Sequence, residues 1–427
     1  MTSVASRLDT RPRKTTLPNG IRVISEWIPH IHSITLGVWV WSGSRFETPE
    51  NNGIAHFLEH MLFKGTNRRD AFEIARTIES LGGYLNAFTG RELNCFFVRV
   101  LMDDDAISID LLADILQNSI FDPGEIEKEK GIVIDEIHGM EDSPEELVLD
   151  HFTRIVWQPH PLSKSILGTT ETVASFQDTD LRSYLKAHYL PEQSYIVATG
   201  AVDHDRLVDC VEAAFPLGTG NPVPKMTPLE PPPPQRIVVS RDISQAHLCL
   251  GGIGLPYNDP RKYTFYVLNA LLGGGMTSRL FQTIREQEGL AYAIYSDVDF
   301  LYDTGLFSIY AGTDPEDLPR VIEAVSDEME KIKTETITDL ELRDAKAQLT
   351  GGLLLSLESA SNVMNRLARL EIYLDKYEPV ELSIAAVEAV TAGQVMELAN
   401  ELFSPDRMSL AAVGPLGEKE LSATSGV

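Results

Sequence analysis

Four consecutive prolines, Pro231 to Pro234, constrain this chain more than any other feature. Proline fixes φ and carries no N–H, so such a run enters neither a helix interior nor a sheet and forms a stiff extended spacer. Pro222, Pro224 and Pro228 extend it, and residues 218–235 read as a linker between an N-terminal domain, 1–217, and a C-terminal domain, 236–427. A chain of 427 residues is long enough for two separate cores. Apolar periodicity predicts the same order of elements on both sides. In the first half, strands are expected over 20–28, 32–42, 84–89, 92–102 and 195–202. Helices fall at 70–81, 105–119, 123–140, from 144, at 178–188 and at 204–215. In the second half, strands are expected over 236–240, 246–252, 291–300, 305–313 and 408–413. Its helices fall at 259–272, 278–288, 318–333, 339–374 and 392–403. The repeat reads as an internal duplication, and strands followed by runs of helix within each half predict an α+β fold of two homologous layered domains.

The chemistry is concentrated in Gly53 to Thr66, GIAHFLEHMLFKGT. On a helix, positions three and four apart share a face, so His56, Glu59 and His60 stand together. Their neighbours Ile54, Ala55, Phe57, Leu58, Met61 and Leu62 are apolar, which predicts a buried helix. A lone histidine on such a helix is ordinarily a hydrogen-bonded core residue. Two histidines and a glutamate each need a polar partner there, and one metal ion satisfies all three. Two imidazoles suit zinc, and a carboxylate that is not a ligand can take a proton from water beside the metal. Aligning Lys64-Gly65-Thr66 with Gly273-Gly274-Gly275 puts Phe265, Leu268 and Asn269 opposite His56, Glu59 and His60, so the second half keeps the fold and lacks the metal. The triple glycine has no Walker lysine and reads as a helix-ending loop rather than a phosphate cradle.

Two histidines leave a catalytic zinc one protein ligand short. The helix predicted from Pro123 carries Glu129 and Glu136 two turns apart on one face. Glu136 lies among Ile132, Val133 and Ile137, so it is expected to face inward, whereas the Glu/Lys run before it reads as a solvated face. His138, His151 and His160 read as surface or packing residues.

Composition narrows the partners. Hydrophobic content is 43% and charged content 23%, ordinary for a globular chain. With 36 basic and 63 acidic residues the net charge is −27, which argues against nucleic acid and anionic membranes as partners. The three cysteines, Cys95, Cys210 and Cys249, form no C-x-x-C and suggest a reducing compartment. No stretch approaches a membrane span, and the N-terminal residues lack the apolar run of a signal sequence. A bacterial-type cytoplasmic location is expected, ahead of an organelle matrix.

HFLEH followed by Glu129-Lys130-Gly131-Ile132-Val133-Ile134-Asp135-Glu136 closely resembles the inverted-zincin peptidases that include pitrilysin, insulysin and mitochondrial processing peptidase. The resemblance runs through nearly the whole chain and is strongest to the processing-peptidase branch. It implies one Zn2+ per chain held by His56, His60 and Glu136, with Glu59 as general base toward a zinc-activated water. Glu129 is implied to support the site without binding metal. Asn86, Ala87, Phe88 and Thr89 resemble the edge strand that receives the substrate as an added strand. Arg285 and Tyr292 resemble a pair that stabilises the substrate oxyanion in the partner's site. The implied activity is that of a zinc metalloendopeptidase cleaving peptides or unfolded segments inside a dimer chamber. The chain is then half of a clamshell homodimer or heterodimer. The alternative within the family is a non-catalytic structural or partner-activating subunit.

Overall fold

The computed structural model describes residues 11–215 and 226–417, in two units that are each built on one sheet. In the first, β1 (Arg13–Thr16), β2 (Arg22–Trp27), β3 (Ser33–Val40), β4 (Tyr84–Thr89), β5 (Asn94–Leu101) and β6 (Ser194–Gly200) run in the order β1-β2-β6-β3-β5-β4. In the second, β7 (Arg236–Ser240), β8 (Ala246–Gly254), β9 (Ala291–Phe300), β10 (Gly305–Thr313) and β11 (Ser409–Gly414) run in the order β7-β11-β8-β10-β9. Apart from β1, the two orders coincide strand for strand. Each sheet has one parallel pair, β2 with β6 and β7 with β11, at the corresponding place. The duplication read from element order is thus present in the topology. β1, short and bearing Arg13 and Lys14, was not expected as a strand.

The helices that matter for the site are α1 (Ile54–Leu62), α2 (Ala71–Glu79) and α3 (Pro123–Asp142) in the first unit. Asp70 caps α2 as expected: its carboxylate accepts from the Glu73 N–H at 2.7 Å, and Glu73 accepts from the Asp70 N–H at 3.1 Å. α1 and α2 bury Phe57, Leu58, Met61, Ile74 and Ile78 against Phe96 and Val98 of β5, the core of this unit.

The linear division into 1–217 and 236–427 needs correcting. The first unit comprises Met1–His138, Lys164–Thr227 and Ser356–Tyr377; the second comprises Gly139–Ser163, Pro228–Leu355 and Glu378–Val427. The cause is that both faces of each sheet are apolar. β3 is buried along nearly its whole length, so its sheet needs cover on two sides. The second sheet is covered by α4 (Pro144–Trp157), whose Val148, Phe152 and Val156 pack on Cys249, Tyr310, Ala411 and Val413. Later in the chain, α5 (Lys262–Leu272) lies in the second unit and α6 (Ala360–Leu374) in the first. The β6 residue Thr199 donates its hydroxyl to the Ala360 carbonyl at 2.7 Å. The helix expected over 339–374 is therefore two, Asp339–Ser356 and α6, broken at residues 357–359. Helices Thr170–Ser175 and Val380–Ala389 were also not expected, and the segment expected at 278–288 is a π-helix over Phe281–Gln287. Linker residues 226–235 have no regular structure; Pro222 and Pro224, like residues 1–10, lie outside the described residues.

Candidate metal centre

Six apolar side chains, Ile54, Ala55, Phe57, Leu58, Met61 and Leu62, are buried and seat α1 on its sheet. The stripe left half-buried carries His56, Glu59 and His60. The two imidazole rings stand edge to face with centroids 4.7 Å apart. α3 places Glu136 over them, with Oε2 3.7 Å from His56 Nε2 and 3.6 Å from His60 Nε2. Among the described residues this is the one group of three such side chains whose ligand atoms converge, all within 4.8 Å of one another. Two ligand atoms on a tetrahedral zinc with bonds of 2.0–2.1 Å stand roughly 3.3 Å apart; the two carboxylate–imidazole distances lie within a few tenths of an ångström of that separation.

The expectation that Glu136 faces inward is only half right. Its side chain is 43% exposed and looks onto the open side of the site, and Ile132 beside it is exposed as well. The buried carboxylate is Glu129, at 3%. Glu129 Oε2 lies 3.1 Å from His60 Nδ1, and its Oε1 lies 2.5 Å from Lys64 Nζ. An ionised carboxylate only accepts, so His60 carries its proton on Nδ1 and turns the Nε2 lone pair toward Glu136. Lys64 was not singled out from the sequence; the available signal was a lysine one turn after His60 at the end of an apolar run.

Electrostatics favour the forms a metal needs. Burial first, then the neighbouring His60, push the His56 imidazole down to about 4, which keeps it neutral. Burial pushes the Glu59 carboxyl above its ordinary value, against the Thr89 hydrogen bond and His60, while Glu136 adds to the rise. A raised carboxyl is the stronger base. Thr89 Oγ1 donates to Glu59 Oε2 at 2.5 Å, which ties the base to the end of β4.

Residues 22–170 match the family model "Insulinase (Peptidase family M16)", and residues 175–349 match "Peptidase M16 inactive domain". A Bacillus subtilis protein called an uncharacterized zinc protease is 40% identical over 407 residues, 95% of this chain and 98% of its own length. This chain belongs to peptidase family M16. A second M16 relative, an uncharacterized zinc protease of Streptomyces coelicolor, is 38% identical over 418 residues, 96% of this chain and 91% of its own. Two solved structures share the fold at 22% identity. A protease from Helicobacter pylori superposes with a TM-score of 0.91, covering 95% of this chain and 100% of that one. A chain of complex III from Candida albicans gives 0.84, covering 96% and 99%. The family expected from HFLEH and the α+β two-domain fold expected from the order of elements are the ones found.

In this M16 chain β4 is an edge strand, so one side of its backbone has no strand partner within the sheet. The four residues singled out on it behave differently. The Asn86 side chain accepts from its neighbour's N–H, at Ala87, at 2.8 Å. Phe88 packs edge-on against Trp39 with centroids 5.3 Å apart, and Thr89 contacts Glu59. Arg285 and Tyr292 lie in the second unit. Both are exposed, Arg285 over the Phe281 ring at 4.8 Å and Tyr292 at 62% on β9. On α5, Phe265 and Leu268 are fully buried, and the Asn269 amide oxygen accepts from Ser296 at 2.7 Å. Opposite the first unit's candidate ligands, the second unit thus holds two buried apolar side chains and a hydrogen-bonded amide.

Proposed function

We propose that this chain is a zinc metalloendopeptidase whose metal is held, one ion per chain, by His56, His60 and Glu136. The observation that carries the reading is the convergence of those three donors beside a non-ligand carboxylate, Glu59. A zinc ion at that point supplies Lewis acidity and lowers the pKa of a bound water. Glu59 takes a proton from the attacking water and delivers it to the leaving amine. Glu129 holds His60 in the tautomer that presents Nε2. β4 receives the substrate as an added strand through Asn86, Ala87, Phe88 and Thr89, and backbone pairing makes that grip tolerant of sequence.

In this reading the substrates are peptides or unfolded segments admitted to a chamber between two subunits, identical or related. Arg285 and Tyr292 steady the substrate carbonyl in the site of the partner subunit. Three free cysteines, two of them buried, support a reducing, cytoplasm-like compartment. Residues 175–349, most of them in the second unit, match an inactive-domain model, which favours a non-catalytic role for that unit; the intact set in the first unit supports catalysis there. The test is cleavage of a quenched fluorogenic peptide library by the wild type, by the wild type with chelator, and by Glu59→Gln. Cleavage should vanish with chelator, and Glu59→Gln should keep its zinc while losing nearly all turnover. Full activity in either condition overturns the assignment.

A further inference from the structure

α1 begins without a cap of its own. Its N-cap is Gly53, which has no side chain to accept from the first free N–H groups, and those groups are buried with the helix. The partner they find is six residues upstream. Glu47 Oε2 accepts from the Gly53 N–H at 2.8 Å and from the Asn52 amide at 2.9 Å; Glu47 Oε1 accepts from the Ala55 N–H at 2.9 Å. Glu47 is itself 3% exposed. Each of these three partners is a donor; at the positive end of the helix they grip the carboxyl and offset the burial that still pushes it above its ordinary value. Ala55, one of the residues gripped, immediately precedes His56.

The same short segment holds a second element. The Arg45 N–H donates to the Arg91 carbonyl at 2.8 Å, and the Arg45 guanidinium meets Glu92 at 2.5 Å with both side chains about 1% exposed. Residues 90–93 are the turn that joins β4 to β5. Residues 45 and 47 therefore grip, respectively, the turn of the edge strand and the start of the helix that carries His56, Glu59 and His60.

We propose that Glu47 is a positioning residue for the metal centre: it caps α1 from outside the helix and, with Arg45, sets where that helix stands against the β4–β5 turn. The consequence is that the contact between Glu59 and Thr89 is in place before substrate arrives. This inference rests on the zinc-peptidase reading above.

Glu47→Gln keeps the shape and turns one acceptor oxygen into an NH2 that faces an N–H donor. The readouts are zinc affinity by chelator competition, the visible spectrum of the Co2+-substituted protein, and kcat and KM on a fluorogenic peptide. Zinc affinity should fall about ten-fold or more, the range seen when groups that orient ligands are lost. The Co2+ bands should shift, and kcat should fall while KM holds. Asp105→Asn is the control: that carboxylate is also buried in the first unit and is paired with Arg206 at 2.5 Å, away from the centre. It should lower the melting temperature and leave zinc affinity and the Co2+ spectrum alone. Wild-type zinc affinity and an unshifted spectrum in Glu47→Gln overturn the proposal and leave the peptidase reading standing. An equal loss of affinity in Asp105→Asn at an equal fall in melting temperature reduces Glu47 to general stability. A wild type that binds no zinc overturns both readings.

Discussion

The same substitution should act in opposite directions at two glycines flanking the metal centre. Gly53 opens α1 at φ 91, a left-handed conformation. A Cβ built there meets Leu167 O at 2.6 Å, Gly168 Cα at 2.7 Å and Gly168 N at 2.9 Å, all backbone atoms that cannot swing aside. Alanine carries a left-handed strain of roughly 1 kcal/mol or more. Forcing a methyl into a filled site adds about 1–3 kcal/mol. Gly53→Ala should therefore lose roughly 2–4 kcal/mol. Gly131 sits inside α3 between Glu129 and Glu136, with nothing within 4 Å of its virtual Cβ. There alanine only removes the entropy penalty of glycine, a gain of about 1 kcal/mol. For a unit of roughly 150–250 residues, 1 kcal/mol moves Tm by about 2–4 °C. Thermal melts should thus show Gly53→Ala lower by roughly 5–15 °C and Gly131→Ala higher by a few degrees, with zinc binding kept in the second. A Gly53→Ala protein melting with the wild type, or both variants shifting the same way, would refute the reasoning.

Two further outcomes follow from charged groups. Glu129→Gln takes the counter-charge from Lys64, 2.5 Å away, and weakens the acceptor facing His60 Nδ1. Zinc affinity by chelator competition should drop about 10–100-fold; unchanged affinity would count against Glu129 as the group that orients His60. Asp110 is paired with Arg68 through two contacts of 2.8 Å and with Arg69 at 2.5 Å. The Arg68 hydrogen bonds, aided by Arg69 and against some burial, hold its carboxyl below the usual aspartate value. A carboxyl lowered by folding stabilises above its unfolded pKa and loses that stabilisation as pH falls through its folded value. Asp110→Asn should therefore melt below the wild type at neutral pH, and the gap should close as pH falls through and beneath about 3.9. A gap that persists unchanged in acid would show that the loss is not electrostatic.

Local pattern was a good guide to the elements and to part of the centre. The spacing of His56, Glu59 and His60 on one helix, and of Glu129 and Glu136 on another, follows from helical periodicity alone; the structure forms the first helix within the stretch Gly53 to Thr66 and keeps the second within two residues of its expected bounds. Pattern was misleading about depth. Flanking Ile132, Val133 and Ile137 suggested an inward Glu136, yet Glu129 is the buried one and Glu136 faces the open side. Apolar neighbours in sequence are not neighbours on a helix surface, where each face is covered by whatever packs on it.

What the sequence determined by itself is therefore most of the inventory: every strand but β1, most of the helices, a repeat with one copy bearing the HFLEH set, and the two helix faces that carry the candidate ligands. Tertiary structure alone decided which pieces belong together. α4 joins the second unit and α6 the first because each sheet has two apolar faces, a demand that no single stretch of chain can satisfy. It also decided that Glu47 caps α1, a role invisible at Gly53 itself. Periodicity reports on residues held a few positions apart by one element's own hydrogen bonds. Burial of a sheet face, or of a helix end, is satisfied by any group the fold brings near, whatever its place in the chain.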